Sequence, residues 1–361
     1  MAITGIIVLV VALIGYHQAT RIRYDDYRAH ISSLYCSLAG AKNIPKRPVI
    51  FVPGIKGSML ERNGKTIWLT LSELLGGITT LRYATDDNIH SNGIFDRLTL
   101  IPFFLEYRPY YQITAQLACA PKGYVFWYDW RGKPQQNADD FLHLVDRVIT
   151  ETGEKPSVIA HSMGGLIAHS VVKKHPEKFS SLVYVTVSFN PGIGYLDDLN
   201  DGVPTGLNKS LMSKEVIFSQ PSSFLLLPHK GSGRYKGKEL MDAAVWKEER
   251  LSVFADRTTI DMDAFQNVLD TTVAYHALLD AQRDLPNPTL LIVGKEHPTV
   301  YAVEPDGTRT MEPGDGRVSY KSAFPIDRLL KQTVIETAVS HAAQLNDTEI
   351  IETIFDFVTK E

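Results

Sequence analysis

The chain has 361 residues, of which 44% are hydrophobic and 22% charged, and its formal net charge is −4. This balance is ordinary for a globular protein and excludes an intrinsically disordered chain, and the absence of a basic block argues against nucleic acid as a partner. The length suits one large α/β domain or two smaller ones. Cys36 and Cys119 supply neither a disulfide framework nor a metal-ligand pattern, and both a single bridge and a reduced compartment fit them. We therefore expect no metal and no other cofactor.

An apolar run from Ile3 to Tyr16 opens the chain. It is shorter than the ~20 residues that span a bilayer, and it has the length of a signal-peptide core without a preceding Lys or Arg or a clean cleavage site. Three interpretations follow for residues 1–20: a membrane anchor, which we favour, a cleaved signal that would leave the protein secreted or periplasmic, or a buried helix. The positive-inside rule would keep the next domain cytoplasmic, because three arginines follow the run: Arg21, Arg23 and Arg28.

Apolar runs and amphipathic stretches alternate through residues 21–361, which we assign to one domain. Strands are predicted at 49–52, 124–128, 158–160, 182–187, 289–293 and 332–338. Helices are predicted at 110–117, 139–152, 163–175, 264–282 and 347–358, the last capped by Asn346, and a polar loop joins 293 to 314. This alternation predicts an α/β fold with a mostly parallel sheet covered by helices on both faces. Two stretches break it and are predicted insertions, a lid at about 62–105 and a cap at about 190–260.

One short stretch, Ala160-His161-Ser162-Met163-Gly164, carries a serine from a strand into a helix. The pattern A-x-S-x-G differs by one methyl group from the G-x-S-x-G nucleophile elbow. A sharp turn crowds the residues two before and two after the nucleophile, and Ala160 and Gly164 are both small. The helix N-terminus would point backbone N–H groups at a reacting carbonyl. Ser162 is therefore the predicted nucleophile.

A serine nucleophile needs a base, and the base needs an orienting acid, in the chain order nucleophile, acid, base. His341 is the predicted base because no other histidine after Ser162 follows the last predicted strand. The favoured acid is Asp315, whose flanking glycines let the backbone turn and present a carboxylate. Glu296, directly after the strand 289–293, is the rival acid.

Two backbone N–H groups are expected to bind the oxyanion that forms during the reaction. One is that of Met163, next after the nucleophile, and the other is that of Ile55, in the turn after the first strand. Trp68 and Phe103-Phe104 are candidates for contact with a lipid substrate, although they could equally belong to the core of the insertion.

The chain resembles the lecithin–cholesterol acyltransferase family, which includes lysosomal phospholipase A2 and the phospholipid:diacylglycerol acyltransferases. The blocks that carry the resemblance occur in the family's order: Val52–Ser58, Thr66–Leu69, Tyr128–Arg131, Ala160–Gly165, Gly314–Val318 with Ser322, and His341. It implies the α/β-hydrolase fold and the following roles: Ser162, Asp315 and His341 as catalytic triad, Ile55 and Met163 as oxyanion donors, and Trp68 in a mobile lid near the acyl chain. Asp129 and Arg131 of the tetrapeptide are expected to pair with each other or with backbone rather than to catalyse.

Two residues depart from the family's pattern. Ala160 replaces the more usual glycine, which the turn can tolerate sterically. Arg317 stands where a small polar residue is common, so we expect the surface of the acid loop to differ from that of the family. The lid and cap are shorter than in the animal enzymes, and lipoprotein binding is not implied.

The predicted function is that of a serine-dependent lipid acyl-ester enzyme, an O-acyltransferase or phospholipase A that forms an acyl-enzyme from glycerophospholipid-type esters. Its expected partners are lipid at a membrane surface and an acyl acceptor, either water or an alcohol. A carboxylesterase or triacylglycerol lipase of the same mechanism is the first alternative. A non-catalytic lipid-binding protein that kept the fold is the second.

Overall fold

The computed structural model describes residue 36 and residues 44–76, 80–101, 105–256 and 259–361. The N-terminal apolar run and Phe103-Phe104 lie outside these residues. Within the described ranges, no helix combines the length and the apolar character needed to cross a bilayer. Cys36 and Cys119, whose pairing the sequence left open, form a disulfide.

Fifteen strands and ten α-helices make up the regular structure of the described ranges. The strands are β1 (Val49–Val52), β2 (Ser58–Arg62), β3 (Lys65–Trp68), β4 (Ile89–Ile94), β5 (Leu98–Ile101), β6 (Leu105–Tyr107), β7 (Gly123–Val125), β8 (Ser157–His161), β9 (Leu182–Val185), β10 (Asp284–Leu285), β11 (Thr289–Gly294), β12 (His297–Val303), β13 (Arg309–Gly314), β14 (Arg328–Leu329) and β15 (Gln332–Thr337). The helices are α1 (Leu71–Leu74), α2 (Tyr111–Leu117), α3 (Pro134–Thr152), α4 (Met163–Lys174), α5 (Tyr195–Asp201), α6 (Lys214–Phe218), α7 (Pro221–Phe224), α8 (Ala243–Glu248), α9 (Met262–Asp280) and α10 (Thr348–Lys360).

The central sheet has six strands in the order β15-β11-β9-β8-β1-β7, and all of its neighbouring pairs are parallel. Strands β1, β8, β9 and β11 are buried along their whole length, which is why they occur in the sequence as continuous apolar runs. Parallel strands end at one edge of a sheet. The pairing of Val52 with Ala160 and of His161 with Val185 therefore brings the loops after β1, β8 and β9 together.

Helices cover both faces of this sheet, as the alternation predicted. Successive side chains of β1 point to opposite faces. Val49 and Phe51 belong to a buried cluster with α2 and α10. Ile50 and Val52 belong to the larger cluster with α3, α4 and α9. The amphipathic helices thus bury their apolar faces against alternate residues of the same strands.

The two predicted insertions form structure of their own outside the central sheet. Strands β3-β2-β4 make a three-stranded antiparallel sheet and β5-β6 a hairpin. Of these, β3, β4 and β5 lie within the predicted lid, whereas β2 begins before it and β6 extends past it. The stretch predicted as a cap contains the short helices α5 to α8. The prediction of a polar loop between 293 and 314 is wrong, because that stretch forms the antiparallel hairpin β12-β13. Most side chains of this hairpin are partly or fully exposed, and its apolar run at 300–303 is short and followed by polar residues.

Three predicted boundaries are also corrected by the structure. The strand predicted at 124–128 ends at Val125, after which the Tyr128 N–H donates to the Ser58 hydroxyl. Helix α3 begins at Pro134 rather than at residue 139. Its first turn is polar, so the apolar pattern by which the helix was predicted starts only later. Asp347, not Asn346, caps α10, by accepting a hydrogen bond from the N–H of Ile350 at 3.0 Å.

Candidate active site

Ser162 lies at the edge where the central strands end, between β8 and α4. Its backbone has φ 52° and ψ −131°, a strained turn for a residue with a side chain, and 8% of it is exposed. A Cβ on Gly164 would lie 2.1 Å from the carbonyl oxygen of Pro53, and one on Gly165 would lie 2.0 Å from the Val187 side chain. Small residues are therefore required on the helix side of this corner, as the elbow pattern predicted.

The fold brings Ser162, His341 and Asp315 into one hydrogen-bonded chain. His341 Nδ1 lies 2.7 Å from Asp315 Oδ2, and His341 Nε2 lies 3.1 Å from Ser162 Oγ. A carboxylate can only accept, so Nδ1 donates to Asp315 and Nε2 is left to accept the serine proton. This is the order of contacts by which an imidazole can deprotonate a hydroxyl while a carboxylate orients it.

Asp315 is held in place by the turn around it. Its Oδ1 accepts backbone N–H bonds from Arg317 at 2.9 Å and Val318 at 2.7 Å, while only 2% of the residue is exposed. Burial by itself raises the pKa of the Asp315 carboxyl, but the His341 imidazole and these two N–H groups outweigh it and hold that pKa below its ordinary value. The rival acid Glu296 is exposed, and the imidazole bonds to Asp315 instead.

Of the two predicted oxyanion donors, Met163 directly follows Ser162 in the chain, and Ile55 lines the same cavity as Ser162. Ile55 lies in the turn closed by the hydrogen bond from the Gly57 N–H to the Gly54 carbonyl at 3.1 Å, and we call Gly54–Gly57 the oxyanion turn. Met163 is the first residue of α4 and fully buried. In the part of the chain that the structure describes, neither the Ile55 nor the Met163 N–H has a recorded protein acceptor. Both remain available to a developing negative charge.

Tyr110 and His161 complete the corner, and neither was singled out from the sequence. The Tyr110 hydroxyl accepts the Gly54 N–H at 3.0 Å and forms a second hydrogen bond with His161 Nδ1, 2.9 Å away. Burial, and then the neighbouring imidazole of His341 with its ring centre 4.8 Å away, lower the pKa of His161 to about 3. His161 is therefore neutral and links the oxyanion turn to the strand that ends at Ser162. A histidine within a fully buried strand was the signal available in the sequence.

The tetrapeptide Tyr128–Arg131 is structural. The Asp129 carboxylate accepts from the Arg131 guanidinium at 2.7 Å, which confirms that these two residues pair with each other. Arg131 is fully buried and also reaches Asp87 at 2.8 Å. The Tyr128 hydroxyl donates to the Pro53 carbonyl at 3.0 Å, at the start of the oxyanion turn. The motif thus fixes the loop after β1.

Two cavities adjoin the candidate triad. The larger, of about 590 Å³, is lined mainly by apolar side chains and reaches His341, and we call it the apolar cavity. The smaller, of about 140 Å³, contains Ser162 in its wall. Ile55 and Arg317 line both cavities. The apolar cavity lies in the size range of small-molecule sites, 300–1,000 Å³.

Trp68 lies in the wall of the apolar cavity. It is 4% exposed, packs edge-on against Trp130 with ring centres 5.2 Å apart, and donates from its indole to the Lys56 carbonyl at 3.0 Å. It is thus both part of a packed cluster and a wall of the cavity. Across the described ranges, no group of three or more His, Cys, Asp or Glu side chains is placed to hold a metal ion.

Comparison with known proteins agrees with this architecture. The profile of the family Hydrolase_4, described as serine aminopeptidase, S33, matches residues 125–302. The protein YJR098C of Saccharomyces cerevisiae is 27% identical over 250 residues, which cover 63% of this chain and 36% of that protein. Phospholipase A(1) LCAT3 of Arabidopsis thaliana is 29% identical over 272 residues, which cover 60% of this chain and 59% of that protein. The chain thus spans about a third of one relative and three fifths of the other.

Among solved structures, a chain of the Tle4–Tli4 complex matches with a TM-score of 0.55 and 12% identity, covering 87% of this chain and 98% of that one. At this identity the likeness concerns the fold alone. The parallel sheet flanked by helices, the strand–serine–helix corner and these comparisons lead to one conclusion. The chain has the α/β-hydrolase fold.

Proposed function

We propose that this protein is a serine-dependent lipid acyl-ester enzyme of the phospholipase A or O-acyltransferase type. The observation that carries the proposal is the hydrogen-bonded chain Ser162–His341–Asp315, in which Ser162 lines the small cavity and His341 lines the apolar cavity, which can take an acyl chain. The similarity to Phospholipase A(1) LCAT3 supports a glycerophospholipid as the acyl donor. The sequence resemblance to the lecithin–cholesterol acyltransferase family points the same way.

The proposed reaction has two halves. His341 Nε2 takes the proton of the Ser162 hydroxyl as the oxygen attacks the ester carbonyl, and the Ile55 and Met163 N–H groups bind the resulting oxyanion. When the intermediate collapses, the carbon–oxygen bond to the glycerol breaks, and the imidazolium returns its proton to the departing alkoxide. A water molecule or an alcohol then attacks the acyl-enzyme and loses its proton to His341. The bond from the acyl carbon to Ser162 Oγ breaks, the imidazolium returns the proton to the serine oxygen, and an acid or a new ester is released. Asp315 stabilises the imidazolium in both halves.

Two matched variants test whether Ser162 is the nucleophile. A fluorophosphonate probe should label the wild-type protein and the Ser188→Ala variant, which lacks a second serine of the small cavity, but not Ser162→Ala. Loss of Ser162 should lower kcat by ~10⁶, as in a serine protease. Labelling that persists in Ser162→Ala would remove the basis of the mechanism, and a wild type that is never labelled would favour a non-catalytic lipid-binding protein.

A second experiment separates hydrolase from transferase. A phospholipid with a radiolabelled acyl chain is supplied together with a long-chain alcohol, and the label is followed into free acid and new ester. A dominant new ester assigns acyl transfer, and a dominant free acid assigns phospholipase A activity. Turnover of soluble or triacylglycerol esters only would instead assign a carboxylesterase or lipase.

We also propose that the enzyme works at a membrane surface, to which its N-terminal apolar run would attach it. The support is the apolar character of Ile3–Tyr16 together with a lipid substrate. Fractionation of cells that express the full chain and a chain without residues 1–20 tests this. Recovery of both in the same fraction would contradict it.

A further inference from the structure

The wall of the apolar cavity contains positively charged side chains and no negatively charged one among the described residues. Apart from histidines, the described residues that line it include two with formal charges, Lys56 and Arg317, and both are cations. No Asp or Glu of the described residues lines this cavity. Arg317 also lines the small cavity, so one of the cations lies where the two cavities meet.

A single carboxylate, that of Asp198, lies close to both cations. Arg317 forms a bidentate pair with Asp198, at 2.7 and 3.1 Å. The Lys56 ammonium lies 3.9 Å from the same carboxylate, beyond hydrogen-bond distance, and its side chain is 20% exposed. Burial, opposed by Asp198 and assisted by Arg317, lowers the pKa of Lys56 to about 8. Near neutral pH the three groups therefore carry an excess positive charge, and the ammonium keeps donors for an incoming anion.

Both cations are close in the chain to residues of the proposed mechanism. Lys56 follows Ile55 within the oxyanion turn. Its backbone φ is 64°, a conformation that residues other than Gly and Asn rarely adopt. Arg317 is two residues from Asp315 and donates its own N–H to that carboxylate. In a glycerophospholipid the phosphate and the acyl esters share one glycerol, a few bonds apart. An ester placed at Ser162 would thus bring a phosphate within reach of these cations.

We propose that Lys56 and Arg317 form a subsite for the phosphate of the substrate, and that the enzyme consequently prefers anionic glycerophospholipids to zwitterionic or uncharged glycerolipids. The preference for a net negative headgroup follows from the wall of the apolar cavity, which offers no carboxylate to a headgroup ammonium. This inference rests on the proposed function, since it concerns the headgroup of the same substrate.

Binding to a non-hydrolysable lipid tests the subsite without catalysis. Short-chain dialkyl ether lipids that differ only in headgroup, one anionic phosphate, one zwitterionic and one uncharged, are titrated against the full chain carrying Ser162→Ala. We expect the anionic lipid to bind about tenfold more tightly than the other two, the gain typical of one hydrogen bond to a charged group. Adding Lys56→Met should remove that preference.

Arg328→Met is the matched control. Arg328 also pairs with a carboxylate, that of Asp284 at 2.5 Å, and neither residue lines the apolar or the small cavity, so its loss should leave the headgroup preference in place. Arg317→Met provides a second variant and should also weaken binding of the anionic lipid. It leaves Asp198 to neutralise Lys56.

Three results would overturn the subsite. They are equal binding of the three headgroups, a Lys56→Met effect that is the same for all of them, and an Arg328→Met effect as large as that of Lys56→Met. Inorganic phosphate that competes at the concentrations at which the lipid binds would assign the cations to free phosphate instead. Failure of the proposed function is seen separately, as loss of fluorophosphonate labelling of the wild type, because the ether lipids report binding alone.

Discussion

The stability of this protein should fall steeply below pH 6.5, in part because of His276 on α9. This residue is 2% exposed, and its Nε2–H donates to the Leu225 carbonyl at 3.0 Å. Burial, and then the imidazole of His229 stacked at 3.8 Å, lower the pKa of His276 to about 3, although the Leu225 carbonyl and Asp280 act in the opposite direction. The folded protein therefore keeps His276 neutral, whereas the unfolded chain takes up a proton near pH 6.5.

The sign and size of the effect follow from proton linkage. Because the unfolded state binds more protons below pH 6.5, acid favours unfolding, by ~1.36 kcal/mol for each pH unit between pH 6.5 and pH 3. Moving from pH 7 to pH 5 should thus reduce the free energy of unfolding by about 2 kcal/mol through His276 alone. His161 has the same low pKa and should contribute a similar amount. The two together represent a large part of a typical stability of 5–15 kcal/mol.

Urea unfolding at pH 7 and pH 5 measures this contribution. His276→Gln keeps an amide donor for the Leu225 carbonyl but cannot titrate, so its loss of stability between the two pH values should be about 2 kcal/mol smaller than that of the wild type. His143→Gln, at an exposed position of α3, should lose as much as the wild type. An identical loss in His276→Gln and the wild type would refute the argument that this imidazole stays neutral when folded.

Three further predictions concern the candidate active site. Asp315→Asn should lower kcat by about 10⁴, because an amide stabilises the wrong tautomer of His341, and stopped assays with the preferred ester would measure it; full turnover would point back to another acid. Tyr110→Phe removes the acceptor of the oxyanion turn and should lower kcat about tenfold with little change in KM, while an altered KM alone would contradict a positioning role. Gly165→Ala places a methyl group against Val187 and should lower the free energy of unfolding by ~1–3 kcal/mol, so an unchanged denaturation midpoint would show that the helix can shift.

Much of the central sheet could be predicted because its inner strands are buried on both faces. Such strands must be apolar throughout, as in Val49–Val52 and Thr289–Gly294, and the amphipathic helices between them have a clear period. The hairpin β12-β13 was missed, because its side chains are largely exposed and its apolar run at 300–303 is short and followed by polar residues. The cap of α10 was misplaced by one residue because Asn346 and Asp347 are equally good capping types. Asn346 instead accepts the Gln112 N–H at 3.1 Å and ties α10 to α2.

The sequence by itself determined the corner at Ser162, since the strain of a strand–serine–helix turn excludes all but small neighbours, and it determined which side chains could serve as acid and base. Only the tertiary structure decided that the His341 imidazole bonds to Asp315 rather than to Glu296, because both acids follow late strands and only folding sets their distances. It also brought Lys56 and Arg317 together on one carboxylate, across a chain separation that no local pattern spans. The steric limits on a turn depend on residues that are neighbours in the chain. The electrostatic field inside a cavity depends instead on which distant residues line the same wall.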